Sequence, residues 1–349
     1  MTAPAGPATA TPDAAVLLDV RELSVVLSSG GRPLRVVNKL SYSVGRGETL
    51  AIIGESGSGK TVSSRAVMGL LPAQAEITGS IRLLGSELVG LPERELRRHR
   101  GSEVAMVFQD PARSLNPTMK IGRQITETIR LHASTGRRAA EREAVELLGR
   151  VRLPSPERRF HDYPHQLSGG MRQRVMIAMA LAGNPRLLIA DEATTALDVT
   201  TQAQIMDLLL DMQAEYQMGL VLISHDMGLA ASYAQNVLVM YAGQAVERAP
   251  VRELFANVRM PYTKVLLDAV PRLEREPRSP LPAVRGGQPD LDPGRRGCAF
   301  APRCRRCEDD CRQREPALET HEDQHSWACF HPEDPAPQPA GPTLRKVQS

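Results

Sequence analysis

The chain has 349 residues, a net charge of +3 and only 3% aromatic residues. That balance is too even for a nucleic-acid surface, and so few rings leave little to stack on bases. No apolar run reaches the roughly 18 residues a membrane span needs. The length suits one large domain with a smaller appendage.

Residues 1–16, rich in Ala, Thr and Pro, have neither a basic start nor an apolar core. They are expected to be a disordered tail rather than a secretory signal, and the chain is expected in the cytosol. Residues 17–55 read as strand segments with a turn at Ser28–Arg32. Thr49–Ile53 is a short apolar run that suits a buried parallel strand. The glycine-rich run Gly54-Glu55-Ser56-Gly57-Ser58-Gly59-Lys60-Thr61 follows, and Val62 to Leu70 continues at helical spacing. Residues 76–108 give more short strands and a basic segment, Arg94 to Arg100. Residues 119–160 are expected to be helical, since Ile121, Ile125 and Ile129 repeat every four. Gly169-Gly170 ends a turn, and Met171–Leu181 is expected to be a helix. Arg186–Ala190 is a second buried-strand pattern, closed by Asp191-Glu192. Thr200–Met212 reads as a helix, with strands at Gly219–Ser224, Val237–Met240 and Gln244–Glu247. Beyond Pro271 the composition shifts to Pro, Gly and Arg. The expected division is 17–260 for the main domain, 261–332 for an extension and 333–349 for a disordered tail.

Strand, glycine loop and helix are the context a phosphate cradle needs. Glycines let backbone N–H groups point inward, and the helix N-terminus adds positive potential. Residues 54–61 fit the nucleotide phosphate-loop pattern without a mismatch. Lys60 should reach the β- and γ-phosphates of ATP, and the Thr61 hydroxyl should ligate Mg²⁺. In a parallel sheet the strand C-termini line the ligand crevice, which puts Asp191 near that Mg²⁺. Glu192, one residue on, can orient or deprotonate the attacking water. Asp-Glu alone would read as a solvated acidic loop; the upstream phosphate loop changes the balance.

With these motifs in this order, the chain resembles the ATP-binding subunits of ATP-binding cassette (ABC) transporters from about Leu17 to His331. Gln109, in Val107-Phe-Gln-Asp-Pro111, matches the family's Q-loop. Leu167-Ser-Gly-Gly-Met171 matches its signature, Ala196-Leu-Asp198 its D-loop, and His225 its switch histidine. The wording around Asp110–Pro117, Tyr163–Val175 and Ala190–Val199 resembles the oligopeptide/dipeptide/nickel importer branch, and its D-type subunit in particular. The resemblance implies an α/β fold: a P-loop ATPase with a mixed sheet core, an antiparallel β subdomain, a helical signature subdomain and a small Cys-rich extension. It implies ATP and Mg²⁺, with Gln109 joining Thr61 and Asp191 at the metal, and Glu192, His225 and Lys60 as catalytic residues. It also implies that Ser168, Gly169, Gly170 and Gln173 serve the ATP of an opposing subunit, with Asp198 beside them. That subunit is an F-type partner or a second copy. Two membrane permeases and, indirectly, an extracytoplasmic solute-binding protein complete the assembly at the cytoplasmic face of the membrane.

Two departures from the family pattern stand out. Ala193 occupies the place where the family has Pro after the catalytic Glu. Leu27 stands where the family stacks an aromatic on adenine, which removes about 1 kcal/mol of stacking; Tyr42 is the aromatic nearest in sequence. All five cysteines lie between positions 298 and 329. Cys298, Cys304, Cys311 and Cys329 resemble the cysteine pattern of peptide-importer ATPases, which implies a [4Fe–4S] cluster, and Cys307 is extra. Zinc is the rival, since Cys304 and Cys307 form a C-x₂-C pair with His321, His325 and His331 nearby. Free thiols are the third reading, and the histidines are expected on the surface. Outside the transporter reading stand a soluble nucleic-acid-associated cassette and a non-catalytic one. The modest charge argues against the first, and the intact Lys60 and Glu192 against the second.

Overall fold

The computed structural model describes residues 16–195, 197–269, 287, 291, 294–321 and 324–334. Both terminal tails, apart from residue 16 and residues 333–334, lie outside these, as do Ala196 and most of 270–293. Strands β1 (Val16–Ser29) and β2 (Arg32–Gly45) form a long antiparallel hairpin turned by Gly30-Gly31. β4 (Glu76–Leu83) pairs with β1 and β5 (Ser86–Glu87) with β4, giving a four-stranded antiparallel sheet in the order β2-β1-β4-β5.

The second sheet contains β3 (Thr49–Ile53), β6 (Val104–Val107), β7 (Leu187–Asp191), β8 (Gly219–Ser224), β9 (Asn236–Tyr241), β10 (Gln244–Pro250), β11 (Glu319–Thr320) and β12 (Ser326–Trp327). Its order is β11-β12-β10-β9-β3-β8-β7-β6. The pairs β6–β7, β7–β8, β8–β3 and β3–β9 are parallel, and the rest are antiparallel. Every residue of β3, β7 and β8 is buried, which explains their unbroken apolar runs. Leu18, Leu23 and Leu40 of the hairpin pack with Leu50 and Ile52 of β3, so the two sheets share a core.

The helices are α1 (Lys60–Val67), α2 (Glu93–His99), α3 (Pro111–Ser114), α4 (Ile121–His132), α5 (Arg137–Arg150), α6 (Pro156–Arg159), α7 (Gly169–Leu181), α8 (Val199–Tyr216), α9 (Met227–Tyr233), α10 (Val251–Ala256), α11 (Pro261–Asp268) and α12 (Asp309–Gln313). Ile121, Ile125 and Ile129 are fully buried against Ala140, Ala144 and Leu148 of α5. At Gly122 the Phe160 ring lies so close that a Cβ would come within 2.2 Å of it. The buried Gln124 amide accepts from Asn116 N–H (2.9 Å) and donates to the carbonyls of Asn116 (3.0 Å) and Met119 (2.8 Å). It therefore pins the segment that leads out of the Q-loop. Gly169 and Gly170 are the first two residues of α7 rather than the end of a turn, because Ser168 caps the helix. Among the described residues no helix is long and apolar enough to cross a membrane.

The sequence places the cysteine segment beyond the main domain, but the chain returns to it. β12 pairs with β10, and Phe300 packs on Tyr241 and Tyr262 with ring centroids 5.3 and 5.4 Å away. Each ring buried this fully stabilises by roughly 2–3 kcal/mol. His325 is buried rather than on the surface; its Nε2 lies 2.8 Å from Glu247 Oε1 in the same core.

Candidate active site

The phosphate loop joins the end of β3 to α1, and its conformation is set by what lies behind it. A Cβ at Gly54 would fall 2.3 Å from the Met240 carbonyl of β9, so only glycine fits there. Gly243 N–H donates to the Ser58 carbonyl (3.0 Å), tying the loop to the β9–β10 turn. Ser56 and Gly57 are exposed at the tip, whereas Ser58, Gly59 and Lys60 are buried. The Lys60 ammonium, 4% exposed, donates to the carbonyls of Gly54 (2.7 Å) and Glu55 (2.9 Å) and to Ser58 Oγ (3.4 Å). Burial lowers its pKa, against the pull of Glu192, Asp191 and Glu55.

At the C-terminal end of β7, Asp191 Oδ1 accepts from the Thr61 hydroxyl at 3.0 Å. Strand and helix thus bring together two residues 130 positions apart, the two expected at Mg²⁺. Burial raises the Asp191 pKa; the Thr61 hydrogen bond opposes this and the Glu192 charge adds to it. Glu192 has left-handed backbone with φ of +48°, a strain of about 1–3 kcal/mol in a non-glycine residue. Its N–H donates to the Ile223 carbonyl (3.0 Å), which holds the strained residue against β8.

Three side chains converge on the Glu192 carboxylate. Gln109 Nε2 donates to Oε2 at 2.8 Å, Thr195 Oγ1 donates to the same oxygen at 3.3 Å, and His225 Nδ1 lies 3.5 Å from Oε1. Gln109, expected beside Thr61 and Asp191, joins the group through Glu192. Thr195 was not singled out by the sequence, although it follows the acidic pair by only three residues. Gln109 and His225 are exposed, and the Glu192 side chain lies partly buried between them at the ends of β7 and β8. A carboxylate and an imidazole beside a phosphate loop can position water and move a proton.

The signature presents a separate surface. Ser168 Oγ accepts from Met171 N–H at 3.3 Å, and Ser168 and Gly169 are exposed. Gly170 lies against Thr201 of α8. Asp198 caps α8 by accepting from Thr201 N–H (2.9 Å) and Thr201 Oγ1 (2.7 Å), and these bonds hold its carboxyl below the usual range. Signature and D-loop are thus one continuous patch. Gln173 does not belong to that patch. It is 1% exposed, because five residues along a helix turn it about 140° away from Ser168. Its side chain points into the interior of this chain.

Leu27 pairs with Leu34 near the hairpin tip and is half-buried against the shared core. Tyr42 is buried in that core, and the burial raises its pKa, so it offers no ring to a base.

Cys298, Cys304, Cys311 and Cys329 line one small apolar cavity with Met260, Phe300 and Phe330. Cys307 lines a different, more polar recess, and its thiol faces the Glu308 carbonyl at 3.6 Å. Burial raises the pKa of Cys298, Cys304 and Cys311 and pushes Cys329 up to about 12. For Cys304 and Cys329 the neighbouring sulfurs add to the rise. Such a donor set fits a cationic centre that would hold the thiolates together. Sulfurs around a tetrahedral zinc sit about 3.8 Å apart, given Zn–S bonds near 2.3 Å. Among the described residues, the donors gathered within 4.8 Å of one another are Asp310, Cys311 and His331, with no trio of cysteines that close.

A family model described as "ABC transporter" matches residues 37–195, and one described as "Oligopeptide/dipeptide transporter, C-terminal region" matches residues 246–311. The chain is 46% identical over 337 residues to the oligopeptide transport ATP-binding protein OppD of Bacillus subtilis, spanning 95% of this chain and 94% of that one. It is 47% identical over 326 residues to the dipeptide transport ATP-binding protein DppD of Escherichia coli, spanning 93% of this chain and 99% of that one. Among solved structures, a dimeric post-hydrolysis state of the ATP-binding cassette MJ0796 bound to ADP and Pi matches with a TM-score of 0.61 at 25% identity, over 68% of this chain and 99% of that chain.

Proposed function

Because the chain belongs to the ABC transporter family, among its oligopeptide and dipeptide transport ATP-binding proteins, we infer that it is the ATP-hydrolysing subunit of a peptide importer. The observation that carries this reading is the convergence of Gln109, Thr195 and His225 on Glu192, next to the Thr61–Asp191 pair. The reaction is in-line attack of water on the γ-phosphate, with the protein positioning groups and neutralising charge. Lys60 and the loop amides of 54–61 bind the phosphates, and Glu192 takes the water's proton while His225 steadies the carboxylate. Thr61 and Asp191 would hold Mg²⁺, which supplies charge neutralisation at the β- and γ-oxygens.

Ser168, Gly169 and Gly170, with Asp198, form a half-site for ATP held by a second cassette subunit, either an F-type relative or a copy of this chain. This is supported by the separate neighbourhoods of the two motifs. The loop is backed by β9 and the β9–β10 turn, and the signature by α8. Two permease subunits, reached through the segment that Gln124 pins, carry the peptide, and a solute-binding protein delivers it. The subunit is peripheral, at the cytoplasmic face of the membrane. Cys298, Cys304, Cys311 and Cys329 would hold a [4Fe–4S] cluster, which would supply a structural tie across the extension. The cavity the four cysteines share supports this.

Uptake of a labelled peptide by cells carrying Glu192→Gln tests the reading. Uptake and ATP turnover should fall by roughly 10²–10⁴-fold while ATP binding persists. Uptake at the unaltered rate would reject the assigned role.

A further inference from the structure

Glu55, the second residue of the phosphate loop, is held at three points. Its carbonyl accepts from Lys60 Nζ (2.9 Å). Its N–H donates to the Tyr262 hydroxyl oxygen (2.9 Å). Its carboxylate receives a two-pronged guanidinium fork from Arg303, Nη1 to Oε2 at 2.9 Å and Nη2 to Oε1 at 3.1 Å. Two of these three ties come from the C-terminal part of the chain, 207 and 248 residues away. The Arg303 side chain is 8% exposed and also donates to the Tyr241 hydroxyl at 3.1 Å. Tyr241 ends β9, the strand that backs Gly54. Tyr241, Tyr262 and Phe300 pack against one another in tilted and edge-on contacts, and the Arg303 guanidinium lies over the Tyr241 ring.

A phosphate loop works only if its N–H groups converge, and a free glycine-rich loop samples many shapes. A bidentate Arg–carboxylate pair is both strong and directional, and shielding from water strengthens it. The Tyr262 hydroxyl takes the Glu55 N–H out of the cradle and so fixes how the loop leaves β3. We propose that Arg303 and Tyr262 are positioning residues of the nucleotide site: the C-terminal extension clamps the phosphate loop, through Glu55, in its phosphate-accepting shape. The proposal rests on residues 54–61 being the phosphate loop, and Lys60→Ala serves as the control for that reading.

The test is the affinity of the full chain for MgADP and MgATP, measured by calorimetry, together with steady-state hydrolysis. Arg303→Ala should weaken both nucleotides roughly tenfold. KM should rise accordingly while kcat at saturating ATP stays within about threefold, since the loss is in binding rather than in the chemical step. Arg303→Lys should recover part of the affinity, because it keeps the charge but not the fork. Tyr262→Phe removes one oxygen and leaves the ring packing, and it should weaken binding about threefold. Glu55→Ala combined with Arg303→Ala should be no worse than the worse single variant. Unchanged affinity in Arg303→Ala and Tyr262→Phe, alongside a clear loss in Lys60→Ala, would overturn the clamp. So would additive losses from Glu55→Ala and Arg303→Ala. If Arg303→Ala fails to fold, Tyr262→Phe decides alone. Unchanged affinity in Lys60→Ala would instead reject the phosphate-loop reading.

Discussion

Asp191 sits at the cost end of a function–stability trade. It is 3% exposed, and burial holds its pKa above the ordinary carboxylate range. A carboxyl raised in the folded state favours folding below its unfolded pKa, and that contribution is lost as pH rises through the folded value. At neutral pH the buried charge is therefore a liability when no cation faces it. Asp191→Asn keeps an acceptor for Thr61 and removes the charge. It should raise the Tm of the nucleotide-free protein at neutral pH, by on the order of 1 kcal/mol of stability, and narrow the advantage at acid pH. The same change should abolish the extra stabilisation that MgATP gives. Thermal melts with and without MgATP across pH check both halves; a lower Tm for the variant without nucleotide would show that the Asp191 charge does not destabilise the fold.

At the level of elements, the helical block that ends in the signature depends on one close approach. Phe160 covers Gly122 so tightly that an added methyl has nowhere to go. Gly122→Ala should cost about 1–3 kcal/mol by overpacking, read as a lower urea midpoint, with turnover falling because Gln124 in the same turn pins the Q-loop exit. How much of this was legible in the sequence differs by element. β3, β7 and β8 could be read because strands buried on both faces are written as unbroken apolar runs. The start of α7 lies two residues before the point the sequence suggests, because glycine reads as a turn while Ser168 acts as a cap. The basic segment Arg94–Arg100 does not read as a helix from its charges; α2 rests on Leu96 against the core and on Arg100, which donates to the carbonyls of Met68 and Gly69. Gln173, read with the signature, is buried, since a motif's spelling does not say which helix face a residue occupies. The meeting of Thr61 with Asp191, and of Gln109 and His225 with Glu192, follows from the start of α1 and the ends of β6, β7 and β8, which the sequence pattern places side by side. Arg303 was not legible in this way, because nothing local marks a partner 248 residues away.

Across the whole molecule, the extension is continuous with the core rather than hung beside it. Phe300, Tyr241 and Tyr262 join the two, and Arg303, next to Cys304, reaches the phosphate loop. Anaerobically purified protein should be brown, with about four iron and four sulfide per chain. Cys311→Ser should lose the colour and Cys307→Ser should keep it, since Cys307 lies outside the shared cavity. The colourless variant should also bind MgADP more weakly, through Arg303. A colourless wild-type chain carrying one zinc that requires Cys307 would overturn the cluster.

In the proposed assembly each chain supplies half of two ATP sites, the loop and acidic pair to one and Ser168 to the other. ATP turnover by Lys60→Ala, by Ser168→Arg and by an equimolar mixture of the two tests it most directly. Each variant alone should be at background. In the mixture, mixed pairs concentrate both defects at one site and leave the other intact, so roughly a quarter of the unaltered rate should return if pairing is random and the sites are independent. A mixture that stays at background, beside an unaltered chain whose rate per chain does not depend on concentration, would contradict the shared sites.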